Sequence, residues 1–345
     1  MRIITADETG LIKQILIENK RIQRWGTQSR DNSVERMVWA GMSGCEENEV
    51  AVALVNGRVQ VWDVDKTVIV KEFSGIEGIP RGLGVIRNEE DRKVITCTDD
   101  GKVNLYNWKD AEIVKTFDVK GPIANMHLCP SNNQIFAVGG RENDLALYDI
   151  ETEEPVFKAR NVPNDWLQLR VPIWVTDMKF LHPKSSGFEL AVVTGHHHVR
   201  LYDTRAKRRP VQSVEIGSRP FTCCTVSHDE NSLFTGDTIG RVSRIDLRTM
   251  QLNGVYKGNT GSVREIALHP TMEVMATVGL DRVMRVFDVA TRQQLHRVYL
   301  RQKLNCVLVS SEGEVASFTK EEEAPESDSS LLQDDEDLIE MSGEE

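Results

Sequence analysis

The amino-acid sequence predicts an all-β fold: a seven-bladed β-propeller, closed by a C-terminal strand that joins the N-terminal blade and followed by a disordered acidic tail. Three observations predict it. First, a phrase made of a glycine-containing turn, alternating residues and an aromatic–Asp pair recurs along the chain, most clearly at Gly279-Leu280-Asp281-Arg282-Val283-Met284-Arg285-Val286-Phe287-Asp288-Val289. Second, the register marks of the copies (Asp63, Asn107, Asp149, Asp203, Asp246 and Asp288) are spaced by 44, 42, 54, 43 and 42 residues. A period near 42 residues is that of a four-stranded propeller blade. Third, a strand-like stretch at 304–310 is left over after the last full unit, while the first unit lacks its innermost strand.

Taken in order, residues 1–5 read as the second strand of a blade and 10–15 as its third, with no first strand before them. Copies of the phrase follow at 57–64, 101–107, 145–150, 199–203 and 240–246. The last full unit shows all four strands, at 262–268, 274–278, 283–288 and 294–300, with His269-Pro270 turning the first into the second. Within its third strand, Val283 and Arg285 share one face and Met284 and Val286 the other, and Gly279 and Asp281 supply the tight turn in front. Pairing 304–310 beside the N-terminal strands closes the ring and leaves no unpaired sheet between the first and last blades. The propeller is thereby expected over 1–318. The tail, 319–345, has too little apolar content to order itself.

Composition narrows the function. With 40% hydrophobic and 28% charged residues the chain reads as globular. No run of about eighteen apolar residues is present, so no membrane association is expected. Asp7 comes too early for a secretory leader, which points to the cytosol or nucleus. After Thr319 one base faces twelve acids, so the tail carries the whole net charge of -11 and the rest of the chain balances. A neutral body with local basic patches is compatible with an RNA-rich partner. The six cysteines form no C-x-x-C pair and read as buried thiols; Cys223 and Cys224 are neighbours in a strand and face opposite sides. His196-His197-His198 falls in a turn between strands with no acid or cysteine at ligand spacing, which favours a polar turn over a metal site. No phosphate loop, nucleophile elbow or zinc-protease helix is present, so neither an enzyme nor a cofactor is expected. Asp99, Asp100, Asp237 and Asp281 recur where closing a turn explains them.

The period, the turn glycines and the pairs Trp62-Asp63, Tyr148-Asp149, Tyr202-Asp203 and Phe287-Asp288 resemble the WD-repeat family over roughly residues 1 to 310. The Gly-His pair that usually precedes the first strand of such repeats is missing, so the resemblance does not carry that family's His–Asp relay into this chain.

The 54-residue interval is about 12 residues too long, and the surplus is read as 153–174, Glu-Glu-Pro-Val-Phe-Lys-Ala-Arg-Asn-Val-Pro-Asn-Asp-Trp-Leu-Gln-Leu-Arg-Val-Pro-Ile-Trp. In WD-type geometry it lies beside Arg141 and His196. Two readings stand open. Trp166 and Leu169 tuck the loop against its own blades, or Asn164, Asp165, Trp166 and Trp174, flanked by Arg160 and Arg170, form a binding hot spot stiffened by prolines. Arg36, Arg81, Arg219 and Arg264 are placed near the start of first strands, and two readings again stand open: with Arg141, Arg160 and Arg282 they form a ring on one face for phosphate or an acidic peptide, or they are ordinary surface arginines paired with neighbouring acids.

The insertion, Arg208-Arg209-Pro210-Val211 and Gly279-Leu280-Asp281-Arg282 resemble one branch of the family, nucleolar assembly factors of the large ribosomal subunit. That resemblance implies a non-enzymatic scaffold in nucleus and nucleolus, a monomer within a large particle, among pre-large-subunit assembly factors and ribosomal RNA. It further implies release by a AAA-type ATPase and a link to the RNA-exosome helicase. The alternative is a substrate adaptor of a cullin-type ubiquitin ligase. The branch ends in a basic run, whereas this chain ends Met341-Ser342-Gly343-Glu344-Glu345, which leaves Arg205-Ala206-Lys207-Arg208-Arg209 as the candidate import address, against the plainer reading of a solvated turn.

Overall fold

The computed structural model describes residues 1–19, 21–42, 45–88, 91–181 and 187–312. The tail expected at 319–345 lies outside them. Among the described residues, 28 strands form seven four-stranded sheets, and the helical turns are two 3-10 segments, Arg30–Asn32 and Glu46–Asn48. Strands are lettered a to d within each blade. Blade 1 is the expected hybrid of Leu304–Val309, Arg2–Asp7, Ile12–Leu16 and Arg21–Trp25. Blade 2 comprises Val34–Trp39, Glu49–Leu54, Arg58–Asp63 and Val68–Phe73, and blade 3 Pro80–Arg87, Arg92–Thr98, Lys102–Asn107 and Ile113–Asp118. Blade 4 comprises Asn125–Leu128, Ile135–Gly140, Asn143–Asp149 and Pro155–Lys158; blade 5 Val175–Leu181, Glu189–Thr194, His198–Asp203 and Gln212–Glu215. Blade 6 comprises Phe221–Val226, Ser232–Asp237, Val242–Asp246 and Gln251–Tyr256; blade 7 Val263–Leu268, Val274–Gly279, Val283–Asp288 and Gln294–Tyr299.

The a strands of successive blades contact one another around the ring. Closure is antiparallel, with Ile3 opposite Val309 and Ala6 opposite Cys306, and the Ser310 N–H donates to Arg2 C=O beyond the strand. A buried pair reinforces it: Lys13 Nζ lies 2.7 Å from Asp7 Oδ2 and donates to Leu300 C=O at 2.9 Å, so blade 1 is tied to the chain leaving blade 7.

Each b strand is covered on both faces by neighbouring blades, and Val274–Gly279 is buried throughout. Such strands read as continuous apolar runs. The cores lie between blades: Ile4, Ile12, Val52 and Trp62 join blades 1 and 2, and Phe234, Tyr256 and Phe287 join blades 6 and 7. Cys223 and Cys224 enter different clusters on opposite sides of their sheet. Cys97, Cys129, Cys223, Cys224 and Cys306 are buried, and burial pushes the Cys97 thiol up to about 12. Cys45 departs from the expectation of buried thiols. It is exposed in the a–b connection of blade 2, just before Glu46–Asn48, where no core is at hand.

The aromatic–Asp phrase has a local cause. The aromatic fills an inter-blade core, and the following carboxylate caps the c–d turn by accepting backbone N–H groups: Lys66 onto Asp63, Glu151 onto Asp149, Arg205 onto Asp203, Arg248 onto Asp246 and Thr291 onto Asp288. In blades 2, 3 and 6 the b–c turn takes positive φ at the residue six before this mark, which Gly57, Gly101 and Gly240 supply, whereas in blade 4 the positive φ falls one residue earlier, at Glu142 (φ 55°). In the phrase at 279–289 the position six before the mark is Arg282 (φ 65°), so Gly279 is not the turn residue the sequence suggested. Its role is close approach, since a Cβ there would lie 2.4 Å from the Ser262 carbonyl oxygen.

Candidate partner-binding face

Pro155–Lys158 pairs with Asn143–Asp149 as an ordinary d strand, so the surplus starts at residue 159 and not at 153. Its far end is sewn to the b–c turns of blades 4 and 5. Glu142 N–H donates to Ile173 C=O (2.8 Å), Gly195 N–H donates to Trp174 C=O (2.9 Å), and Arg141 forms a β-bridge with Trp174. Trp174 packs on Gly195, where a Cβ would meet its indole at 2.3 Å, and it meets His196 edge-on at 5.8 Å. The Arg141 guanidinium stands 5.8 Å from the same ring, within cation–π range. Trp174 therefore anchors the insertion to the propeller.

The tip is a built turn. Asp165 Oδ1 accepts the N–H groups of Leu167 (2.9 Å) and Leu169 (2.8 Å), Asn164 Nδ2 donates to Gln168 C=O (2.9 Å), and Gln168 takes φ 62°. At the base, Asn161 Nδ2 donates to Val171 C=O at 2.6 Å. Asn164 and Asp165 thus shape the loop from within. Of the two readings of the loop, the tucked one does not describe this geometry: Trp166 is 87% exposed, Leu167 54% and Leu169 60%. Arg170 pairs with Glu142 at 3.0 Å with both side chains in solvent, a pair that contributes little to stability.

The arginines of the expected ring divide by exposure. Arg141, Arg160, Arg219, Arg264 and Arg282 are exposed, and Arg219, Arg264 and Arg282 have no ion pair among the described residues. Arg36 corrects the expectation. Its guanidinium is half-buried between a strands and donates to the carbonyls of Arg81 (2.8 Å), Glu35 (2.9 Å) and Ala124 (3.1 Å). Arg81 in turn pairs with Glu35 at 2.8 Å.

Sequence reading missed the polar seam that holds the a strands together. Asp177 accepts from Asn125 Nδ2 (2.6 Å), His127 Nε2 (3.0 Å) and Cys224 N–H (2.8 Å), linking blades 4, 5 and 6. Burial and the neighbouring Lys179 ammonium lower the His127 pKa against the pull of Asp177. Glu265 accepts Val307 N–H at 2.7 Å across the closure between blades 7 and 1, and burial raises its pKa from 4.5 to about 7. The available signal was an acid, Asp177 or Glu265, within an a strand of the blade pattern, each beside or near a base of the same strand, Lys179 or Arg264. His196 and His197 lie in a turn and His198 opens the c strand of blade 5; His197 takes φ 48° and lies 2.9 Å from Glu215. Among the described residues no three His, Cys, Asp or Glu side chains are grouped to hold a metal.

Seven four-stranded blades, aromatic–Asp turns and an inserted loop on the b–c face define a WD-repeat propeller. The WD domain, G-beta repeat family matches residues 250–288. The crystal structure of the computationally designed Ika8 protein is similar at a TM-score of 0.63, covering 88% of this chain and 85% of that one; at 14% identity this is a likeness of fold. The chain belongs to the WD repeat-containing protein 74 family, being 36% identical over 315 residues to the Bos taurus and Homo sapiens proteins of that name, 88% of this chain and 79% of each relative. It is also 26% identical over 367 residues to ribosome biogenesis protein nsa1 of Schizosaccharomyces pombe, 94% of this chain and 92% of that relative.

Proposed function

We propose that this chain is a non-enzymatic scaffold in the biogenesis of the large ribosomal subunit, acting in the nucleolus as one copy within precursor particles. The observation that carries the reading is the insertion tip. Asp165 and Asn164 preorganise a turn that presents Trp166, Leu167 and Leu169 to solvent, so little ordering entropy remains to be lost on docking. An aromatic anchor with apolar flanks is the composition of a protein hot spot. The family relationship supports the process, and nsa1 is named a ribosome biogenesis protein. In this reading assembly factors and ribosomal RNA are the partners, a AAA-type ATPase releases the chain, and the RNA-exosome helicase works beside it.

The test is gradient fractionation of a cell lysate, probing the chain against precursor ribosomal RNA. Co-migration with precursor large-subunit particles is expected. Co-migration with a cullin complex instead sinks the proposal and installs the ligase-adaptor reading.

A further inference from the structure

Two segments free of acids meet at the outer side of blades 4 and 5. One is 155–164 and carries Lys158 and Arg160; the other is 204–214 and carries Arg205, Lys207, Arg208 and Arg209. They are joined by three hydrogen bonds: Arg160 N–H to Arg208 C=O (2.8 Å), Arg208 Nε–H to Lys158 C=O (2.8 Å), and Arg209 Nε–H to Asn161 C=O (3.2 Å). Asn161 is also the base of the insertion, so the patch runs directly into it.

Some bases of this propeller are compensated, Arg58 by Glu72 and Lys66 by Asp63, and others stand without an ion pair among the described residues, as Arg219, Arg264 and Arg282 do; what sets this patch apart is that two acid-free segments, bonded to each other, bring several such bases together. Here Arg205 alone has an acid, Asp203 at 3.9 Å, and Lys158, Arg160, Lys207, Arg208 and Arg209 have no ion pair among the described residues. Five like charges held together without counter-charge cost stability through repulsion, so the fold itself does not account for them. The two pinned arginines add a second feature. With Nε committed to a carbonyl, the Nη atoms are held as a preoriented fork, the geometry that matches a phosphate.

We propose that Lys158, Arg160, Lys207, Arg208 and Arg209 form an RNA-backbone docking surface, sequence-independent in its readout, beside the apolar tip that takes a protein. The proposal deepens the assembly-scaffold reading and rests on it only for the source of the RNA. An acidic protein segment fits less well. Protein interfaces exclude Lys and unpaired charge from their buried core, whereas a hydrated phosphate chain meets each base at its own site and releases counterions.

The same bonds bear on the import address. Reading Arg205–Arg209 as an extended signal would require the Arg208 and Arg209 side chains to leave the carbonyls of blade 4.

The experiment is fluorescence anisotropy with the purified chain and a labelled RNA hairpin, at several salt concentrations. The variant is Lys158→Glu/Arg160→Glu/Lys207→Glu, because those three side chains make no hydrogen bond or ion pair among the described residues, and its thermal transition is checked first. The wild type is expected to lose affinity steeply with salt. The variant is expected to bind at least about tenfold more weakly and to shed roughly 2 to 3 units of the log–log salt slope, at about 0.7 to 0.9 per phosphate contact. Unchanged RNA affinity in the variant overturns the proposal. So does equal or tighter wild-type binding of a labelled poly-glutamate peptide of matched charge, which assigns the patch to an acidic protein. The lysate gradient is independent: a wild-type chain that binds RNA but stays away from precursor particles keeps this surface and removes the assembly reading.

Discussion

Replacing Trp166 by Ala separates the work of the insertion tip from the work of the fold. A Trp side chain offers about 150 to 250 Å² for burial. With 87% of Trp166 exposed, little of that is used in the folded chain, so truncation should change stability by no more than about 0.5 kcal/mol. Docked against a partner, the same ring is a hot-spot anchor whose loss costs about 2 kcal/mol or more, which is a roughly 30-fold weakening. The expected result is a thermal transition, followed by circular dichroism, that overlays the wild type, together with a large loss of the chain from the precursor-particle peak of a gradient. Asp165→Ala should move binding the same way by a different route. It removes the acceptor for two N–H groups, at about 1 kcal/mol each, and loosens the turn without deleting any outward-facing atom. Full particle association of Trp166→Ala refutes the hot-spot argument; a clear drop in its thermal transition shows that the ring supports the fold instead.

The remaining predictions concern what holds the face in place. Asp7→Ala leaves the buried Lys13 ammonium without its counter-charge and the turn N–H groups of Thr9 and Leu11 without their acceptor, and should cost about 3 to 5 kcal/mol. Adding Lys13→Met should recover part of that in urea titrations, and a double variant no better than the single one contradicts the pairing. Glu265 has a folded-state pKa near 7 against 4.5 for the free side chain, so between those values the native state keeps a proton the unfolded chain has lost. Stability attributable to this group therefore falls as pH rises from about 4.5 to 7. Glu265→Gln, which retains an oxygen for Val307 N–H, should flatten that slope and raise the thermal transition at pH 8; an unchanged difference between pH 5 and pH 8 counts against it. Gly195→Ala drives a methyl into the Trp174 indole, and quenched or shifted tryptophan fluorescence with weakened particle binding is expected.

How far the chain could be read without coordinates depends on the range of the forces concerned. The blade period, the Asp caps at 63, 149, 203, 246 and 288 and the closing strand at Leu304–Val309 are written in turn chemistry and alternation, which act over a few residues and recur from blade to blade. The face of the insertion was also legible, because d–a connections and b–c turns share a side in any such blade. Other features were not. Whether Trp166 turns in or out depends on whether a cavity exists to receive it, and Asp165 closes the turn so that none is needed. Arg36 looked like a surface base until three carbonyls of blades 2, 3 and 4 converged on it. Asp177 became a hub only when Asn125 and Cys224, 52 and 47 residues away, were brought to it. The basic patch is the same kind of object, since Arg208 and Lys158 lie 50 residues apart and meet because adjacent blades do. Sequence by itself determined the repeating unit and the closure, whose causes are local. Tertiary structure decided the direction of single side chains and the meeting of charges, because those depend on distances that arise only once the ring is closed.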